Sequence, residues 1–403
     1  MPYLVWELYW AIKVGYPIIK WHTHLAVYYY LCLLLFVLLQ GLDRIFHFRF
    51  YLQYHIICAS VCFALMLTEA VLMRLGIGDT YSEKIKHGYF SMHSGQFESY
   101  YRTYPPDTDL VMDRIDFKHT RRINSLGYSD REWSIGKREN EKRILCLGDS
   151  WTEGIGAGHD STYVSILGSL LRHRDTSYTI MNAGTAGDDP GVNFINYRDR
   201  LRKFRPDIII QTLSSNDMNT DIATKGGLER FQKNGTVKLP DAPWWEPIYA
   251  LSYISRAAFH AMGYSELLIR EPFSEQFKTE LNNKAKGIFE QYSKLADKDT
   301  CLLIVVLQPY SGEIQKKAYS YDLSSIVDYL HTRSNVRVYD LMPYYVDEAA
   351  KSKNGIRDNY WSHDGHHNPK GYAIMAGGML KAIDSFSIGM RYDTLRLNTG
   401  SAR

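Results

Sequence analysis

The chain has 403 residues, 45% hydrophobic and 23% charged, with a net charge of +3. That balance excludes a disordered or low-complexity chain, and it is too mildly basic to suggest nucleic acid as a partner. The length suggests two units, or one large domain with attachments.

The first 76 residues read as a membrane region. Leu25–Leu42 (LAVYYYLCLLLFVLLQGL) carries no charge before Asp43, and Ile56–Met73 carries one acid, Glu69. Each run is about 18 residues, near the lower limit for a helix that spans a bilayer. Trp21, Tyr28, Tyr29, Tyr30, Tyr51 and Tyr54 lie near the ends, as an interfacial aromatic belt would. The first run begins too far into the chain, and lacks the small-residue cleavage site, for an ordinary signal peptide. Two transmembrane helices are therefore expected, at 25–42 and 56–73. Residues 3–19 could form a third, poorer span or lie in the interface. The Lys and Arg around the runs lean toward cytoplasmic termini without fixing the orientation.

Five cysteines occur, three of them in these apolar runs, and no CxxC spacing exists. A disulfide framework is excluded as the organising principle. Residues 77–141 are polar and aromatic, interrupted by Pro105-Pro106, and read as a connector packed on the domain C-terminal to it.

From Arg143 onward, apolar runs alternate with amphipathic stretches. Arg143–Leu147, Tyr178–Asn182, Ile208–Leu213, Cys301–Leu307 and Val336–Leu341 read as strands. Thr162–His173, Val192–Phe204, Lys278–Ala296 and Ser324–Thr332 read as helices. This pattern predicts a parallel sheet covered on both faces, with its ligand site beyond the C-terminal ends of the strands. The residues just after each strand are therefore the informative ones.

Those residues form a set. After the first strand comes Gly148-Asp149-Ser150-Trp151-Thr152-Glu153-Gly154; a serine at a strand-to-helix turn presents its hydroxyl. After the second comes Asn182-Ala183-Gly184-Thr185-Ala186-Gly187, where a glycine can offer an N–H donor. After the third comes Ser214-Ser215-Asn216-Asp217, with a side-chain amide. Near the end, Ser362-His363-Asp364-Gly365-His366-His367-Asn368-Pro369 supplies a base and an acid. Nucleophile, base, acid and oxyanion donors are what acyl transfer requires. A metal site built from His363, Asp364, His366 and His367 is the weaker reading, because no second ligand set appears elsewhere. A nucleotide-binding reading fails for want of a Gly-Lys-Ser/Thr loop or a dinucleotide glycine spacing.

In these four blocks the sequence resembles the SGNH hydrolases, the GDSL esterase/lipase superfamily, over residues 142–390. Asn124-Ser125-Leu126-Gly127-Tyr128 is similar to a lead-in of many bacterial members. The resemblance implies a flavodoxin-like three-layer parallel sheet and no cofactor or metal. It implies Ser150 as nucleophile, His367 as base and Asp364 as its partner. It also implies an oxyanion hole of Ser150, Gly187 and Asn216. Gly184 is the alternative donor and His366 the alternative base; the family's Asp-x-x-His spacing favours His367. Ser214 stands where many relatives carry Gly.

The implied activity is ester hydrolysis or O-acyl transfer through an acyl-enzyme, with O-acetyl on a glycan or other cell-envelope compound as substrate. With the membrane region, it implies a catalytic domain outside the cytoplasm. The alternative is a catalytically idle or partner-dependent subunit beside a membrane acyltransferase. Residues 220–275 exceed the minimal fold and read as an insertion. Its Trp244 and Trp245, with Trp151 beside the nucleophile, are candidate substrate contacts.

Overall fold

A computed structural model of the chain describes residues 103–238 and 275–399, shorter stretches at 51–75, 96–97 and 252–262, and isolated residues between 34 and 45. It divides into two compact units. One comprises Met1–Phe97 and Val237–Lys278, the other Glu98–Thr236 and Thr279–Arg403.

The first unit contains helix α1 (Tyr51–Arg74) and a two-residue strand β1 (Gln96–Phe97). Later in the chain it adds strand β7 (Val237–Lys238) and helix α5 (Tyr253–Ala261). Antiparallel pairing joins β1 to β7. Among the described residues, no helix is long and apolar enough to cross a membrane. The two expected spans thus gain no support. Most of 25–42 lies outside the described residues, and 56–73 falls within α1. There Glu69 is fully buried and accepts hydrogen bonds from the backbone N–H of Tyr253 (2.7 Å) and Ile254 (3.0 Å). The acid that interrupts the apolar run caps the start of α5, where a carboxylate satisfies free N–H groups.

The second unit carries the predicted sheet. Its strands are β4 (Lys142–Leu147), β5 (Tyr178–Asn182), β6 (Ile208–Leu213), β8 (Leu302–Leu307) and β9 (Val336–Asp340), all parallel, in the order β5-β4-β6-β8-β9. The order reverses at β4, so the crevice of this doubly wound sheet opens beyond Leu147. Ahead of it, β2 (Asp109–Asp113) and β3 (Lys118–Arg122) form an antiparallel hairpin.

Side chains alternate across the sheet with period two. Ile144, Cys146, Ile210, Ile304 and Val306 belong to one buried cluster. The cluster is completed by α3 (Tyr163–Arg174), α9 (Met342–Ala350) and α10 (Pro369–Thr399), through Leu167, Tyr345, Met375 and Met379 among others. Leu145, Ile209, Leu303 and Val305 alternate with these and are equally buried. On α4 (Pro190–Asn196), which contacts β6, the Phe194 ring lies edge-on to Tyr292 of α6 (Glu275–Lys298). Thr162 caps α3 by accepting from Ser165 N–H, and Arg172, His173 and Arg174 sit at its negative C-terminal end. The predicted helix at 192–204 is broken into α4, a wide turn (Tyr197–Leu201) and a 3-10 turn (Arg202–Phe204).

Ile304 lies midway along β8, between β6 and β9, and is 1% exposed. Ile304→Ala is expected to cost about 2–5 kcal/mol through lost burial and a residual cavity. Urea denaturation of the two proteins measures it as a lower midpoint with an unchanged slope.

Candidate active site

The strand-to-helix turn after β4 is tight. A Cβ on Gly148 would lie 2.1 Å from Thr212 Oγ1 and 2.2 Å from Thr152 Oγ1, so only glycine fits. Asp149 caps the short helix α2 (Ser150–Glu153) by accepting from Trp151 N–H, and burial pushes its carboxyl up to about 7. Ser150 is thus the first residue of a helix, half-buried, with its own N–H at the helix start.

The imidazole that meets Ser150 is that of His366. Its Nε2 lies 2.8 Å from Ser150 Oγ, and its Nδ1 lies 2.6 Å from Asp364 Oδ1. An ionised carboxylate only accepts, so Nδ1 carries the proton and Nε2 accepts from the serine hydroxyl. The spacing is Asp-x-His. Gly365 adopts a left-handed φ of 84°, and His366 N–H donates to Asp364 Oδ1 at 3.3 Å. This turn folds the ring back over its own acid.

His367, expected as the base, is instead a core residue. It is fully buried. Its Nδ1 lies 3.2 Å from the Asn359 carbonyl and its Nε2 2.8 Å from the Tyr345 hydroxyl. The carbonyl can only accept, so Nδ1–H donates to it and Nε2 accepts from Tyr345 O–H. Rings of Tyr345, Tyr360, Tyr372 and Trp151 surround it. Burial lowers its pKa to about 3. The adjacent histidines face opposite ways, His366 toward the serine and His367 inward. His367 bridges to Tyr360.

The glycine block packs on α2. A Cβ on Gly184 would come within 2.3 Å of Glu153 N, and Gly184 N–H donates to Asn182 Oδ1 (3.1 Å). That engages the donor that made Gly184 an alternative. Ala186 N–H donates to Glu153 Oε2 at 2.8 Å. Gly187 follows, exposed, at φ 78°, and its N–H takes part in no hydrogen bond among the described residues. Asn216 is also exposed, with Oδ1 accepting from Thr220 Oγ1 at 2.8 Å. Its Nδ2 makes no hydrogen bond among the described residues. Both follow strands that flank β4. Ser214 is fixed by Asp217, whose Oδ2 accepts from Ser214 N–H (2.6 Å) and Oγ (2.7 Å). Burial, with Asp149 and Asp221 nearby, raises the Asp217 carboxyl well above its ordinary range.

Trp151, a candidate substrate contact, is 5% exposed. It is enclosed by Tyr310, Tyr360, His366 and His367, which makes it the wall behind the imidazoles. Trp244 and Trp245 lie outside the described residues. No cluster of metal-ligating side chains occurs among the described residues.

Sequence reasoning passed over the supports of this site. Glu153 is fully buried and bonded to Arg121 Nη2 (2.7 Å) and to Tyr104 O–H (3.0 Å), while Arg121 Nη1 also donates to the Glu153 carbonyl (2.6 Å). Burial raises the Glu153 carboxyl, and the Arg121 charge opposes that shift. The only signal in the sequence was a charged residue inside the nucleophile block.

A doubly wound parallel sheet with a serine, a histidine and an aspartate in hydrogen-bond sequence at its switch point defines a protein of the serine-hydrolase type. The chain belongs to the GDSL-like lipase/acylhydrolase family, whose sequence pattern matches residues 146–374, more than half of the chain. No curated protein matches the sequence. Among solved structures, it is similar to a two-domain esterase active on acetylated mannans, at 13% identity and a TM-score of 0.38. That match covers 61% of this chain and 49% of the esterase, so the chain spans about half of that protein. The esterase EstA of Pseudoalteromonas sp. is similar at 13% identity and a TM-score of 0.36, covering 61% of this chain and 98% of that one. A lipase from a goat rumen metagenome is similar at 14% identity and a TM-score of 0.39, covering 60% and 97%.

His367 supplies a pH signature of its own. Its folded pKa is depressed, to about 3 from an ordinary 6.5, so the unfolded chain binds the extra proton between these values. The stability it contributes is complete above pH 6.5 and is lost as pH falls toward 3. His367→Gln removes that term. Between pH 6.5 and 4 the unfolding free energy of wild type is expected to fall more steeply than that of the variant, by up to about 1.4 kcal/mol per pH unit. Urea melts of both proteins at stepped pH measure the difference.

Proposed function

We propose that this chain is a carboxylic ester hydrolase that works through an acyl-enzyme on Ser150, with His366 as base and Asp364 orienting it. The continuous arrangement from Asp364 Oδ1 to His366 to Ser150 Oγ, at 2.6 and 2.8 Å, carries this reading. His366 takes the hydroxyl proton as Ser150 Oγ attacks the ester carbonyl. The carbonyl π pair moves onto oxygen, and the oxyanion is received by the N–H groups of Ser150 and Gly187 and the Asn216 amide. Collapse expels the alcohol, which takes the proton back from His366. A second hydroxyl, of water or of an acceptor alcohol, then repeats the sequence and frees Ser150. With water the result is hydrolysis; with an acceptor it is O-acyl transfer.

The substrate proposed is an O-acetyl ester on a glycan or another cell-envelope compound. Exposure of Gly187 and Asn216 supports this in part, since it leaves the carbonyl site open to a bulky alcohol. Contact with a lipid bilayer is proposed for the N-terminal unit, with the hydrolase unit outside the cytoplasm. Its support is α1, where Ile56, Ile57, Val61, Phe63, Leu67 and Val71 are all exposed apolar side chains. A catalytically idle subunit serving a membrane acyltransferase is the weaker reading, because Ser150, His366 and Asp364 are all present and aligned.

Steady-state hydrolysis of p-nitrophenyl acetate, with mass spectrometry of Ser150, tests the proposal. Ser150→Ala and His366→Ala are each expected to lower kcat about 10³–10⁶-fold. Asn216→Ala should lower it about 10²–10³-fold, as loss of one oxyanion donor does. His367→Gln should keep turnover at temperatures where it is folded. Equal loss in the two histidine variants, both folded, would reject His366 as the base. The lipid proposal is checked separately: the full chain should sediment with phospholipid vesicles at neutral pH, and its remaining in the supernatant would refute the proposal.

A further inference from the structure

The β2–β3 hairpin lies ahead of the family-matched residues, yet it touches the catalytic loops at several points. At its turn, the Asp116 side chain is 8% exposed. Asp116 Oδ2 accepts from the backbone N–H of His363 (2.8 Å) and of Asp364 (2.8 Å). Its Oδ1 lies 2.7 Å from His363 Nδ1 and accepts from Ser362 Oγ at 3.3 Å. The His363 hydrogen bond first, and the two backbone N–H bonds with it, hold the Asp116 carboxyl down to about 2. It is therefore an anion throughout the neutral range.

The next residue, Phe117, packs against the Trp361 ring at 5.7 Å. Trp361 Nε1 donates to the Gly156 carbonyl (2.8 Å), and His119 Nε2 lies 3.2 Å from the same oxygen. Arg121, further along β3, holds Glu153, and Glu153 holds Ala186 N–H beside Gly187. One hairpin thus grips the loop that bears Asp364 and His366, the segment after Ser150, and the loop that offers Gly187.

We propose that this hairpin is the positioning element of the active site, and that Asp116 is a positioning residue which sets Asp364, and through it His366, by fixing two consecutive backbone N–H groups. The inference rests on the Ser150–His366–Asp364 reading. The His363 imidazole, 63% exposed, is the outer partner of Asp116; the grip lies in the two backbone bonds.

The test compares Asp116→Ala, Asp116→Asn and His363→Ala with wild type in the full chain. Two readouts are taken: p-nitrophenyl acetate kinetics, and the rate at which a fluorophosphonate modifies Ser150, followed by mass spectrometry. Asp116→Ala is expected to lower kcat and the labelling rate about 10- to 100-fold, the scale of an ångström-sized misplacement, with KM little changed. Asp116→Asn, which keeps one acceptor oxygen, should lose less. His363→Ala, which keeps both backbone bonds, should stay near wild type. If Asp116→Ala does not fold, the contrast between Asp116→Asn and His363→Ala decides. Wild-type kcat in a folded Asp116→Ala, or equal losses in His363→Ala and the Asp116 variants, would overturn the inference alone. Failure of wild type to label at Ser150 would overturn the reading beneath it, and the inference with it.

Discussion

Ser150 and His366 are 216 positions apart in the chain and 2.8 Å apart in space. No local interaction can hold such a pair; the sheet has to. Ser150 is fixed by β4, the strand at which the sheet order reverses. His366 sits on a loop between Tyr360 and α10, and that loop has no strand of its own. It is tied down side chain by side chain, by Trp361 to Gly156 and His367 into the core, and at its end by the first turn of α10, where the Tyr372 hydroxyl donates to the Ile155 carbonyl (2.6 Å). Each tie runs either to the segment just after the nucleophile or to the core beneath it. The serine–histidine distance is therefore set by contacts on both sides of the loop.

His367 shows how the adjacent pair divides its work. A buried neutral imidazole with both nitrogens satisfied anchors the backbone, and the residue before it is thereby turned toward the serine. Had both histidines been solvated, the loop would have needed another anchor. The cost is a group that resists protonation in the folded state, which makes the fold sensitive to acid at a residue outside the proton transfer. The same division appears in the nucleophile block: Ser150 faces the crevice, while Trp151, Thr152 and Glu153 are buried beneath it.

The architecture was readable because parallel strands buried on both faces leave continuous apolar runs, and five of them stand out between Arg143 and Leu341. Ser150 and Asp364, which the structure brings together through His366, stood out because each begins or closes a turn with few alternatives, and Gly187 and Asn216, proposed as oxyanion donors, stood out because they follow strands that flank β4. The histidine that meets Ser150 lies one residue nearer the acid than the spacing implied, for a physical reason. Sequence spacing counts residues, whereas reach depends on backbone conformation. A left-handed Gly365 shortens the path from acid to base by one residue, so the nearer histidine meets the serine and the farther one is swallowed by tyrosines. The helix expected across 192–204 was misjudged for a related reason: its apolar period continues while its backbone widens at Tyr197–Leu201.

Asp116, Arg121 and Tyr104 lie in residues that read as a connector, where polar character signals solvent. The burial of Arg121 and of the Asp116 side chain, and the partial burial of Tyr104, come with pairing. An Arg121–Glu153 ion pair with 0% side-chain exposure on both partners is costly to form and costlier to break singly, since either partner alone would be an uncompensated buried charge. Such a pair adds little net stability over an apolar one, but it has one geometry. Placed between β3 and the residue that holds Ala186 N–H, it converts folding of the upstream hairpin into placement of the glycine loop. The family pattern begins only at residue 146, so the part of this chain that fixes its active site begins well before the part that defines its family.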